Sequence, residues 1–177
     1  MGRKLRVGAA MACLLVLGTV TVASATSSRE NRSSGSDDRK VVVLDLVGEY
    51  AKSTFIDELP ANPEDKPSVG DQWVSTINLL RDGKEFGKES STCTYTRVEA
   101  DGARTVHCTG FQFLPGGQTT SEVAVDYGPG ETVKADPYFS AVKGGTGKYR
   151  TAHGEARIQE RTTEKFEIVM RIILSKD

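Results

Sequence analysis

From Val41 onward the chain is patterned in short runs of period two, the repeat of a half-buried strand rather than of a helix. In the final run Phe166, Ile168, Met170 and Ile172 share one face, and Val169 and Ile173 join Lys165, Glu167 and Arg171 on the other. In an earlier run Phe111 and Phe113 share a face with His107 and Thr109. The pattern predicts strands over Val41–Val47, Gln72–Arg81, Lys84–Val98, Arg104–Phe113, Thr119–Tyr127, Tyr138–Val142, His153–Arg161 and Lys165–Leu174. Asp82-Gly83 is a hairpin signal, Leu114-Pro115-Gly116-Gly117 closes another run, and Gly87 marks a bulge. Phe55–Leu59 reads as a short turn, and no segment has the period of an amphipathic helix. About eight strands with tight turns predict a sandwich or a barrel. Apolar residues on both faces suit a barrel whose outer wall packs on another subunit, or ordinary exposed apolar surface.

The first 40 residues do not share this pattern. Arg3, Lys4 and Arg6 precede an uncharged apolar stretch, Val7 to Val22, and Ala23-Ser24-Ala25 is a small-x-small site. This is the grammar of a secretory signal peptide over residues 1–25. Residues 26–40 are rich in Ser, Arg, Asp and Gly and read as a disordered leader. Residues 41–177 form one domain. After cleavage the chain is expected to be secreted, with no membrane anchor. Losing Arg3, Lys4 and Arg6 takes the 23 Lys+Arg to 20 against 24 Asp+Glu, a formal charge of −4. That balance argues against a nucleic-acid surface, which takes a basic patch.

Export changes the reading of Cys93 and Cys108. Two cysteines in an oxidising compartment favour a disulfide. A hairpin centred between Ala100 and Asp101 sets residues whose numbers sum to 201 opposite one another, and 93 and 108 do so. The alternative is a pair of free thiols in a pocket. Neither cysteine has a partner at metal-ligand spacing, His107 and His153 read as structural, and no metal or cofactor is expected.

Three glycine-bearing motifs occur in order: Pro67-Ser68-Val69-Gly70-Asp71-Gln72, Leu114-Pro115-Gly116-Gly117-Gln118 and Gly144-Gly145-Thr146-Gly147-Lys148-Tyr149-Arg150. With Asp82-Gly83-Lys84, Phe86-Gly87 and Cys93 between the first two, the chain resembles the allene oxide cyclase barrel-like family and the related dirigent proteins, over about residues 41–174. The resemblance implies an eight-stranded antiparallel β-barrel with an apolar cavity. It implies a hydrophobic, unsaturated small molecule as partner, and cyclisation or isomerisation without a cofactor. A non-catalytic ligand-binding or structural surface barrel is the alternative. In the family, polar groups on the first two strands act on the substrate. Asp45 and Asn78 stand on those strands here and are the expected catalytic pair, though the first strand has no glutamate matching the family's. The plainer readings are an outward aspartate and a surface asparagine. Tyr95 and Gln112 share the parity of Cys93 and Cys108, so they either contact substrate or face solvent; Trp73 has the opposite parity from Asn78. Gly145 and Gly147 are expected to need positive φ, with a larger folding cost on substitution than Lys148.

Overall fold

The computed structural model describes residues 39–57 and 66–176. The expected signal peptide and all but the last two residues of the expected leader lie outside them. The described chain forms eight strands, β1 (Arg39–Ile56), β2 (Gln72–Arg81), β3 (Lys84–Val98), β4 (Arg104–Leu114), β5 (Gly117–Tyr127), β6 (Tyr138–Gly147), β7 (Ala152–Glu160) and β8 (Lys165–Ser175). All neighbours are antiparallel, and β1 pairs with β8 to close the barrel. The eight expected strands and the antiparallel barrel are therefore present.

β1 and β6 run well beyond the bounds the sequence pattern suggests. β1 continues past Val47 to Ile56, where Phe55 and Ile56, expected in a turn, pair with Trp73 and Gln72; the last two residues of that expected turn lie outside the described residues. The extension arises because one long strand serves two neighbours. Its first half pairs with β8 from Arg39 to Glu49, and its second half pairs with β2 from Val47 to Ile56. Arg39 and Lys40, assigned by composition to the leader, are already in this strand. β6 likewise runs through Gly144 and Gly145 to Gly147. There Lys143 is the extra residue of a bulge, because Thr120 pairs with Gly144 and Ser121 with Val142.

The hairpins explain much of the glycine usage. Asp82 and Gly83 have φ of 51° and 72°, the left-handed pair that a two-residue hairpin needs to match strand twist. At Gly87 the register of β3 against β2 shifts by one, leaving Phe86 as the extra residue of the expected bulge. The 67–72 motif is structural: Asp71 is fully buried and accepts from the Ser68 N–H at 2.6 Å and the Ser68 hydroxyl at 2.9 Å. The Tyr95 N–H then donates to the Asp71 carbonyl at 2.9 Å, tying this loop to β3.

Cys93 and Cys108 lie opposite each other on β3 and β4 with Cα atoms 4.0 Å apart, joined as a disulfide. The route to that register differs from the expected one. The turn is centred one half-step later, with Val98 paired to Arg104, and a bulge at Thr96 restores the sum of 201 from Tyr95 inward. Replacing both cysteines with serine should lower unfolding free energy by about 3 kcal/mol, as expected for a loop of this length. Urea unfolding of the oxidised protein and the double variant checks this; equal midpoints and slopes would show that the bond contributes nothing.

One end of the barrel is filled. Leu44, Leu46, Ile77, Leu79, Leu114, Val142, Met170 and Ile172 pack there, with Tyr149, which follows the glycine turn, and Leu174 of β8. The β2–β3, β4–β5 and β6–β7 connections lie at this end. At the other end, where the β3–β4, β5–β6 and β7–β8 connections lie, Trp73, Val98, Cys108 and Tyr127 pack on Cys93, Tyr95 and Val106. The burial of successive residues alternates along most strands, so parity decides which side chains enter the interior.

Candidate ligand cavity

A cavity of about 630 Å³ occupies the barrel between the apolar plug and the open end. Ile77, Val123, Ala156, Ile158, Ile168 and Met170 supply much of its wall. They come from β2, β5, β7 and β8, each at the inward parity of its strand. Its volume falls within the roughly 300–1,000 Å³ usual for small-molecule sites, which set a few polar groups among apolar walls. Two polar groupings stand out here, one deep and one at the mouth.

The deep grouping centres on Glu89. It follows the inward odd parity of Ser91, Cys93 and Tyr95 on β3, and is paired with Gln112 of β4. The Gln112 side chain is fully engaged. Its Oε1 accepts from the Thr119 hydroxyl at 2.9 Å, and its Nε2 donates to Ser121 Oγ at 2.8 Å and also to the Glu89 carboxyl. Gly110 makes room for the pair, since a Cβ there would sit 2.7 Å from Glu89 Oε1 and 2.8 Å from Gln112 Nε2. Burial pushes the Glu89 carboxyl above the usual carboxylate range, and the bond from Gln112 only partly opposes this. Charging a carboxyl away from water is costly, so the neutral acid is favoured. A neutral acid here has an O–H to donate into the cavity.

The mouth grouping centres on Glu160 at the end of β7. Its Oε1 accepts from the hydroxyls of Tyr127 at 2.7 Å and Tyr138 at 3.1 Å, and its Oε2 accepts from the Lys134 N–H at 2.6 Å. Burial, reinforced by the nearby carboxylate, pushes both phenols well above their ordinary range. They remain donors at any physiological pH. Tyr50 borders the same space with its ring 5.6 Å from that of Phe166. Its hydroxyl is pushed up to about 12 by burial first and then by Glu160 and Glu89. Arg104 opens β4 at this mouth, with its guanidinium 4.8 Å from the centre of the Tyr127 ring and Nη2 donating to the Glu131 carbonyl.

The residues singled out from the sequence divide between the two sides of the wall. Gln112, Cys93 and Cys108 line the cavity. Tyr95 points inward and is buried, but packs edge-on against Trp73 at 5.2 Å between ring centres and does not line the cavity. Trp73 does line it. Asp45 is exposed on the outer face of β1, opposite Val169. Asn78 lies on the outer face of β2 between inward Ile77 and Leu79, paired with Glu49 and Lys88. Neither borders the cavity, so the expected catalytic pair is corrected: period-two alternation turns both side chains away from it. His107 also faces outward and meets Glu122 at 2.9 Å, with Lys143 on the other oxygen of that carboxylate at 3.1 Å. Among the described residues no three His, Cys, Asp or Glu side chains converge as a metal-ligand set.

Glu89, Glu160 and Arg104 were not picked out from the sequence, although parity reaches all three. Glu89 stands two steps of two from Cys93, and Glu160 stands two steps of two from Ala156. Extending the face of Cys93 along its own strand would have found Glu89.

No family model and no curated protein sequence matches the chain. Solved structures do. A pyocyanin demethylase superposes with a TM-score of 0.60 at 21% identity, covering 73% of this chain and 99% of that one. A pterocarpan synthase dirigent protein gives 0.59 at 15% identity, covering 79% and 88%. A Diels-Alderase from Streptomyces koyangensis gives 0.59 at 16% identity, covering 80% and 71%. At these identities the likeness is one of fold: the closed eight-stranded barrel of this chain superposes on each of the three.

Proposed function

We propose that this is an exported barrel that takes one hydrophobic, unsaturated small molecule into its cavity. There it steers cyclisation or isomerisation without a cofactor. The observation that carries the reading is a cavity of about 630 Å³ with a half-buried, inward-facing glutamate, Glu89, in its wall, whose carboxyl is held above the usual range by desolvation. A closed wall holds the reacting ends of a flexible molecule near one another, and so removes part of the entropic barrier. An acid fixed in a dry site stabilises charge that develops on a ligand oxygen, because its dipole needs no reorganisation. The neutral Glu89 would donate to a carbonyl, epoxide or enol oxygen, with Gln112 holding its other oxygen. The fold shared with Diels-Alderases and a dirigent protein is consistent with this use of shape. The signal-like first 25 residues and the Cys93–Cys108 disulfide support export.

N-phenyl-1-naphthylamine, a neutral dye that brightens in apolar surroundings, tests the cavity. The protein should bind it saturably at one per chain. Val123→Trp, which fills the wall at a half-buried position, should weaken binding by about tenfold, or roughly 1.4 kcal/mol, with unchanged circular dichroism. Non-saturating binding, or binding indifferent to Val123→Trp, would place the dye on the outer wall and end the cavity reading. Native mass spectrometry against an extract of the producing cells then separates catalyst from carrier. A retained compound that returns altered in mass or retention time is a substrate, and one that returns unchanged makes the barrel a carrier.

A further inference from the structure

The charges around the mouth do not cancel evenly, and the imbalance says which end of a ligand stays there. Glu160 already has three donors. Glu131 accepts from the Gly128 N–H at 2.7 Å and pairs with Lys134 Nζ at 3.1 Å. Glu89 lies deep and is neutralised by burial. Lys52 and Glu164 sit on the exposed rim. Arg104 is different. It lines the cavity, stacks on the Tyr127 ring, reaches the Tyr95 hydroxyl and gives Nη2 to a backbone carbonyl. Among the described residues no carboxylate pairs with it. A guanidinium has five N–H donors in a fork matched to two oxygens, and these neutral contacts leave part of that fork unspent. Held by stacking and by the Glu131 carbonyl, it is also oriented before a ligand arrives.

We infer that Arg104 receives an anionic oxygen group of the ligand, a carboxylate or an enolate, at the mouth of the barrel while the apolar body lies inside. This rests on the cavity reading above and adds the chemical class: an amphipathic anion. Arg104 opens β4 and Gln112, the partner of Glu89, stands eight residues further along the same strand, so a molecule that meets both Arg104 and the Glu89 acid has its anionic end outermost and a neutral oxygen deep. Trp73, Tyr127 and Tyr138 give the mouth aromatic faces for an unsaturated segment to pass.

Two dyes of one skeleton test it. 1-Anilinonaphthalene-8-sulfonate carries an anion that N-phenyl-1-naphthylamine lacks. Arg104→Gln should weaken binding of the sulfonate by about tenfold and of the neutral dye by less than twofold. Arg104→Lys should recover part of the loss, because the charge returns without the fork. Raising salt should weaken only the sulfonate, and only in chains with a cation at 104. If Arg104→Gln weakens both dyes equally, the residue merely shapes the mouth and the inference falls. If it changes neither, the anion is held elsewhere and the inference also falls, with the cavity reading intact. If the wild-type protein takes up neither dye, the cavity reading fails and this inference goes with it.

Discussion

Gly145→Val should destabilise the barrel by about 4 kcal/mol or more, which is at the exceptional end for a single substitution. A Cβ at Gly145 would lie 2.3 Å from the Gln118 carbonyl oxygen and 2.5 Å from the Tyr149 carbonyl oxygen. Both obstacles are backbone, so relief means separating β5 from β6 or opening the turn that places Tyr149 in the plug. Gly147→Val should be comparably harmful for two reasons together: φ is 58° there, and a Cβ would lie 2.3 Å from the Gly116 carbonyl oxygen. Lys148→Ala should cost less than about 0.5 kcal/mol, as an exposed side chain does. Gly144 supplies an internal control. A Cβ there would have its nearest neighbour at 4.0 Å, the Thr120 hydroxyl, so Gly144→Ala should be tolerated. Urea unfolding of the four variants measures the series; similar losses for Gly144→Ala and Gly145→Val would show that close approach is not what the glycines provide.

The same turn shows what was legible in the sequence and what was not. Three glycines in four residues announce an unusual path, and positive φ is the obvious cause. Only Gly147 has it. Gly145 is required for the close passage of another strand, a tertiary fact that local sequence does not carry. Strands and hairpins were legible because period two and turn chemistry are local. Which face points inward was legible only where one face is clearly polar. β2 meets that condition weakly and β1 does not, since Val41, Val43 and Val47 are exposed while Val42, Leu44 and Leu46 turn inward. Asp45 sits between two buried leucines on an outer face that is itself apolar, so the run did not say which way its carboxylate points. The disulfide was legible despite an error in the turn centre, because the bulge at Thr96 returned the strands to the register assumed. Parity turns Glu160 and Arg104 inward but does not show that they share one mouth. Glu160, Tyr127 and Tyr138 meet only when β5, β6 and β7 close side by side, and Arg104 joins them from β4.

Glu89→Gln should change both the pH profile of stability and, if the barrel is a catalyst, the rate. Burial raises the folded-state pKa of Glu89 above the 4.5 of an unperturbed glutamate. The neutral acid therefore favours the folded state fully below pH 4.5, and that advantage is lost as pH rises through the raised value. Within this window the folded state holds about one more proton than the unfolded chain, so wild-type stability should fall relative to the glutamine variant by about 1.4 kcal/mol per pH unit. Glutamine is a near isostere that stays neutral, and the difference between the two unfolding free energies, measured in urea from pH 4 to 8, isolates this one group. A flat difference would mean an ordinary exposed carboxylate and would remove the acid from the proposed mechanism. The rate then separates two roles. A glutamine amide still donates a hydrogen bond but cannot give up a proton. If Glu89 only polarises a ligand oxygen, Glu89→Gln should retain most of the turnover, and Glu89→Leu should lose it. If Glu89 transfers a proton in the transition state, both variants should fall by about 10²–10⁴-fold. In both cases neutral-dye binding should stay near wild type, because neither change removes apolar wall.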